Sequence, residues 1–155
     1  MRKTAFLVSI LTLVFFACKK DNDCKAPSVT VPADEIAQLK TFIDTSHIDA
    51  TFDSRGFYYK TAAAGGTDKP NNCSVIEIGY KGTLVNGVKF DSKDLYAFSM
   101  GALITGWQYG VPLIGKDGYI TLYLPPTLGY GSRPNGAIPA NSILIFEIKL
   151  LNFYN

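Results

Sequence analysis

The chain has 155 residues, which leaves room for one domain and a short extension but not for two full domains. Hydrophobic residues make up 47% and aromatic residues 13%, so disorder is excluded as the general state of the chain. A formal net charge of +2 excludes both the basic field that attracts nucleic acid and the acidic field that attracts cationic partners.

Residues 1–17 read as a leader. Arg2-Lys3 give a positive start, and Ala5 to Ala17 is apolar or small apart from Ser9 and Thr12. That run is shorter than the ~20 apolar residues of a membrane span and suits the hydrophobic region of a secretory signal. Phe15-Phe16-Ala17-Cys18 resembles a lipobox, with cleavage before Cys18 and a lipid on its thiol. Lys19-Lys20-Asp21-Asn22-Asp23 resembles the tract that follows the lipidated cysteine in surface-exported lipoproteins of the Bacteroidetes. These resemblances imply a cell-envelope protein, lipid-anchored to the outer membrane and either periplasmic or surface-exposed. An ordinary secretory signal and an uncleaved anchor are the alternatives. Loss of Arg2 and Lys3 with the leader leaves 13 residues of each sign, a near-neutral mature chain. With Cys18 lipidated, Cys24 and Cys73 are left as candidate disulfide partners in an oxidising compartment, although spacing alone leaves their pairing open.

Residues 18–32 are polar with scattered proline and read as a tether, followed by a helical extension over 33–56. Asp34-Glu35 are placed to cap a helix running from Ala33 through Asp44, with Ile36, Leu39, Phe42 and Ile43 at helical spacing. From Phe57 to the C-terminus the pattern changes to period two. Phe57-Tyr58-Tyr59, Val75–Tyr80, Leu84-Val85, Val88–Phe90, Leu95–Met100, Tyr119–Leu124 and Ile143–Leu150 read as strands, and Asn86-Gly87 reads as a two-residue hairpin turn. Only Gly101–Val111 is helix-like, short and ended by Gly110 and Pro112. The body over 57–155 is therefore expected to be α+β, an antiparallel sheet wrapped around one short helix, with a pocket where aromatic side chains converge.

Conventional catalysis finds little support. His47 is the only histidine and lies outside the body, so no positioned base serves a nucleophile there. Gly129-Tyr130-Gly131 fits neither the phosphate-loop nor the dinucleotide pattern. No Cys-x-x-Cys or Cys/His spacing suits a metal, and no cofactor is expected.

What the body carries instead is an ordered series of aromatic and aliphatic blocks. They are Tyr80-Lys81-Gly82-Thr83-Leu84, Asn86 to Ser92, Tyr96 to Gly101, Leu103 to Trp107, Pro125 to Gly131, and Ala137-Ile138-Pro139 before Leu144-Ile145-Phe146. In order and spacing this series resembles the FKBP-type peptidyl-prolyl cis/trans isomerases from about Phe57 to Tyr154. The resemblance implies an FKBP-like sheet around a short helix, and rotation of X-Pro bonds in proline-containing polypeptides. It assigns Trp107 to the floor of a proline pocket, and Tyr80, Phe90, Tyr96, Leu103, Ile104 and Phe146 to its walls. Tyr130 would offer a hydroxyl and Ile104 a backbone N–H to substrate carbonyls, with Asp91 beside Tyr80 at the rim and Ile138 in a covering loop. Phe98 is read as ordinary core. Two departures stand out: the Gly101–Trp107 segment is two residues shorter than in well-known small members, and the covering loop carries Pro134-Asn135-Gly136-Ala137. Macrolides of the rapamycin type are implied as ligands. The short extension helix argues for a monomer. A binding or chaperone module on the same fold, with little or no isomerase activity, is the competing reading, and an adhesive scaffold a third.

Overall fold

In the computed structural model, which describes residues 24–155, the period-two stretches become five of the six strands of one antiparallel sheet. The strands β1 (Thr51–Asp53), β2 (Phe57–Ala63), β3 (Val75–Leu84), β4 (Lys89–Ser99), β5 (Tyr119–Leu124) and β6 (Leu144–Tyr154) lie in the order β1-β2-β5-β6-β3-β4. The leader read over residues 1–17 and the candidate lipid-bearing Cys18 lie outside the described residues. β1 had no counterpart in the sequence reading, and the two segments read over Val88–Phe90 and Leu95–Met100 form the single long strand β4.

Alternation sets the faces of the sheet. Along β6, Leu144, Phe146, Ile148 and Leu150 are buried on one side, while Ile145, Glu147 and Lys149 point to the other. Cross-strand register extends the buried row, because Leu122 and Ile120 of β5 lie opposite Phe146 and Ile148. Ile78 of β3 lies opposite Leu150.

Helix α2 (Thr105–Gly110) lies on this buried face, and two glycines decide how closely. Gly106 and Gly110 are four apart and share one helical stripe. A Cβ on Gly106 would stand 2.4 Å from Leu124 Cδ1, and one on Gly110 would stand 2.5 Å from the Leu122 methyls. Any larger residue would press on these buried side chains, so that either the leucines or the helix must shift. Each glycine costs about 1 kcal/mol of helix stability relative to alanine, which burial of every residue from Gly106 to Gly110 offsets.

Helix α1 (Ala33–Thr45) covers part of the opposite face. Its buried Leu39 and Ile43 pack with Tyr123 and against Tyr58 and Ile145, the outward residues of adjoining strands. Asp34 and Glu35 sit in the first turn, where they suit the helix dipole, but neither caps the helix, since Pro32 holds the N-cap position without a side-chain bond. The Glu35 carboxylate turns instead to the body. It accepts from the Thr127 backbone N–H (2.9 Å) and the Thr127 hydroxyl (2.8 Å).

Residues 24–32, read as the end of a tether, form a strap docked on the body. Cys24 and Cys73 are joined in a disulfide. The Tyr109 hydroxyl on α2 donates to the Pro27 carbonyl (2.5 Å) and accepts from the Val29 N–H (3.1 Å). Val31 is buried against Gly56, whose φ of +94° and missing side chain make the room. The Arg55 guanidinium lies 4.8 Å above the Tyr109 ring and is held by a two-point ion pair with Asp53 (2.8 and 2.7 Å). Hydrogen bonding from Arg55 holds the Asp53 carboxyl below its ordinary range.

The bridge closes residues 49 apart in sequence, so it restricts the unfolded chain strongly. Reduction, or the Cys24→Ser/Cys73→Ser pair, is expected to lower unfolding free energy by about 2–4 kcal/mol in urea titrations.

Candidate functional site

A cavity of about 420 Å³ opens between α2, the sheet and the loop after β5. Its floor is Trp107, 4% exposed on the face of α2 turned away from the strap. Three rings meet the indole nearly at right angles: Phe146 (5.1 Å, 89°), Tyr80 (5.2 Å, 80°) and Phe98 (6.1 Å, 83°). Edge-to-face pairs of this kind add roughly 0.5–1.5 kcal/mol each beyond burial. Phe90 extends the wall by packing edge-on against Phe146 at 5.5 Å. Gly82 makes this crowding feasible, since a Cβ there would stand 2.5 Å from the Phe90 ring and 3.0 Å from that of Phe146.

The polar groups sit at the edges. The Tyr80 hydroxyl donates to Asp91 Oδ2 at 2.6 Å. Burial, then this hydrogen bond and the charge of Asp91, push the Tyr80 phenol well above its ordinary value. The Tyr130 phenol is raised too, first by burial and then by the charge of Asp91. Tyr130 stands in a loop held by Gly131, whose N–H donates to the Pro126 carbonyl (2.9 Å) with φ at +67°. Beyond it, Asn135 and Ile138 exchange two backbone hydrogen bonds of 2.9 Å and close the covering loop, with Ile138 buried. On the other side, Leu103 and Ile104 form the wall that leads into α2. Two groups here have no hydrogen-bond partner among the described residues: the Trp107 indole N–H and the Ile104 backbone N–H.

The cavity thus brings together Tyr80, Phe90, Asp91, Leu103, Ile104, Trp107, Tyr130, Ile138 and Phe146. Tyr96 is not among them. The β3–β4 register shifts between Ile78 and Tyr80, so Tyr80 faces Lys93 while Ile78 faces Tyr96. Gly79 sits at this bulge, where a Cβ would press on the Asp94 carbonyl at 2.7 Å. Tyr96 keeps to the Phe98 side of the strand, half exposed, with its ring tilted 41° to that of Phe98 at 4.6 Å. Phe98, read as core, is the ring that lines the pocket. Ala102 also lines it without having been singled out, as do Asn135, Gly136 and Ala137, which the sequence reading named only as a departure in the covering loop. A strict period of two puts Tyr96 and Phe98 on one face, and nothing local showed that Phe98 is the one whose ring meets Trp107. Among the described residues no group of three His, Cys, Asp or Glu side chains could hold a metal.

Three comparisons place this geometry. The family model described as FKBP-type peptidyl-prolyl cis-trans isomerase matches residues 66–151. The FKBP-type peptidyl-prolyl cis-trans isomerase FkpA of Buchnera aphidicola subsp. Schizaphis graminum is 39% identical over 122 residues, covering 76% of this chain and 48% of that relative. FkpA of Escherichia coli is 36% identical over 103 residues, 64% of this chain and 38% of the relative, so the chain spans about half or less of the length of the curated relatives it matches. The crystal structure of Escherichia coli FkpA aligns with a TM-score of 0.71 at 32% identity, covering 78% of this chain and 60% of that one. A peptidyl-prolyl cis-trans isomerase from Pseudomonas syringae pv. tomato shares the fold (TM-score 0.70, 22% identity), covering 82% of this chain and 99% of its own.

The two phenols give a direct readout of the rim. In ultraviolet titration, Tyr80 and Tyr130 should ionise above the ordinary 10.0, and Asp91→Asn should bring both down. The sign follows from linkage: raised phenols contribute stability that is fully present below pH ~10 and is lost as pH climbs through their folded values.

Proposed function

The chain belongs to the FKBP-type peptidyl-prolyl cis-trans isomerase family, and from that premise we propose that it accelerates X-Pro isomerisation in exported polypeptides at the pocket over Trp107. Peptide rotation meets a barrier of ~18–20 kcal/mol because resonance gives the C–N bond double-bond character. X-Pro bonds therefore isomerise over tens of seconds or more, slowly enough to limit folding. No bond is broken, so the reaction needs neither a nucleophile nor a metal. It needs a site that binds the twisted amide better than either planar form.

One observation carries the reading: a single cavity joins an aromatic floor to an unpaired backbone N–H on one side and a phenol on the other. Trp107 with Tyr80, Phe98 and Phe146 would seat the pyrrolidine ring and keep water off the amide, whose twisted form is less dipolar than the planar ones. The Ile104 N–H and the Tyr130 hydroxyl would hold the flanking carbonyls while the imide turns. Asp91 would accept from the Tyr80 hydroxyl at the rim. Each ~1.4 kcal/mol of differential binding gives tenfold in rate, so roughly 7 kcal/mol corresponds to a ~10⁵-fold acceleration. The same aromatic seat is our proposed site for rapamycin-type macrolides, and the protein acts as a monomer in this reading.

In a protease-coupled assay on an X-Pro test peptide, Tyr130→Phe should lower kcat/KM about three- to tenfold, the worth of one hydrogen bond. Trp107→Ala should lower it further, with the circular dichroism of both variants kept. Unchanged rates in both would sink the assignment.

We also propose that Cys18 carries lipid and anchors the protein in the cell envelope at the outer membrane. The apolar run of Ala5–Ala17, the Phe15–Cys18 block and the Lys19–Asp23 tract support it. Cells fed radiolabelled palmitate should label the wild-type protein and not Cys18→Ser; an unlabelled wild type would refute acylation.

A further inference from the structure

The wall that carries Ile104 has no strand ladder to hold it. It is a single 3-10 turn, Met100–Ala102, followed by two extended residues, Leu103 (φ −86°, ψ 166°) and Ile104 (φ −57°, ψ 149°). On its outer side the turn hangs on the Met100 N–H, which donates to the Ser74 carbonyl at 2.9 Å. On its inner side it meets Gln108, the residue after Trp107. Gln108 is only 8% exposed, in a helix whose other buried residues are glycine or aromatic. A buried amide in such surroundings is costly unless its hydrogen bonds are made.

Gln108 makes them to the turn. Its Nε2 donates to the Leu103 carbonyl at 2.7 Å, with a longer approach of 3.5 Å to the Gly101 carbonyl. The Leu103 carbonyl and the Ile104 N–H are opposite ends of one planar peptide unit. Fixing the oxygen therefore fixes the direction of the N–H. An accepted hydrogen bond also polarises the unit and strengthens the N–H as a donor. Ile104 lines the cavity, and its N–H meets no partner among the described residues.

We propose that Gln108 is a positioning residue for isomerisation, orienting and polarising the Leu103–Ile104 peptide so that its N–H can bind a substrate carbonyl. This rests on the isomerase reading. The chemistry requires a donor: two carbonyls converge on Nε2, an ionised carboxylate could only accept, and a methionine could fill the volume without bonding.

The test uses the purified protein, the prolyl-peptide assay and backbone amide spectra. Gln108→Met, which keeps the packing, should lower kcat/KM about fivefold, the worth of one lost hydrogen bond, and move the Ile104 ¹⁵N resonance upfield. Gln108→Glu, which sets a carboxylate oxygen against a carbonyl oxygen, should lower it further. In the wild type the Gln108 side-chain amide protons should exchange slowly with solvent. Rapid exchange would overturn the proposal even if both variants failed to fold. An active wild type matched by Gln108→Met in kcat/KM and in the Ile104 resonance would reduce Gln108 to packing and overturn this inference alone. A wild type without activity, by contrast, overturns the isomerase reading and this inference with it.

Discussion

The close seating of α2 on the sheet is the constraint from which the rest of the molecule follows. Gly106 and Gly110 let the helix backbone rest against Leu124 and Leu122. A six-residue helix lowered this far has no exposed face, so each successive side chain must find a different buried neighbour. At about 100° per residue, Trp107 enters the aromatic cavity, Gln108 the Met100–Leu103 turn, and Tyr109 the strap. Floor, wall and N-terminal attachment are thus set by three consecutive residues of one element. A shift of the helix by a methyl group's width would disturb all three together, since packed interiors respond to changes of that size.

Polar groups are distributed so that the centre of the cavity stays apolar. The carboxylate of Asp91 is engaged by the Tyr80 hydroxyl at the rim, and the glycines and aromatics beneath it bring no charge. The two phenols, raised further above their ordinary 10.0 by burial, stay protonated across the physiological range. They are therefore hydrogen-bonding groups rather than acids or bases. That suits a process in which a dipole changes while no proton moves, and it accords with a body that lacks histidine.

Much of this was legible because it rests on local alternation. β5 was read with both its ends, Tyr119 and Leu124, and α1 within one residue, since each places apolar side chains at a regular period over a long enough run. A turn at Asn86-Gly87 was legible, although it closes between Leu84 and Val88 over three residues rather than two, and Gly87 alone of the pair takes positive φ (+82°). What escaped depends on pairing between distant residues. The three residues of β1 show no alternation, and β4 is an edge strand that is exposed along most of its length. Tyr96 and Phe98 share one face of β4, opposite Ile78 and Ile76, and that Phe98 is the ring that meets Trp107 depends on where α2 is seated, which a single strand does not reveal. Likewise, Glu35 looked like a cap because its partner Thr127 lies 92 residues away.

The strap changes the mechanical picture as well. Read from composition, residues 18–32 were a tether; the structure docks residues 24–32 of it on the body, with Cys24 bonded to Cys73 and Pro27 and Val29 bound to Tyr109. The attachment point is not remote from the site. The Asn72 N–H donates to the Cys24 carbonyl, and the Ser74 carbonyl holds the Met100 N–H at the start of the pocket turn. The disulfide thus stands one residue from Ser74, whose carbonyl holds the outer side of the wall that Gln108 holds from within.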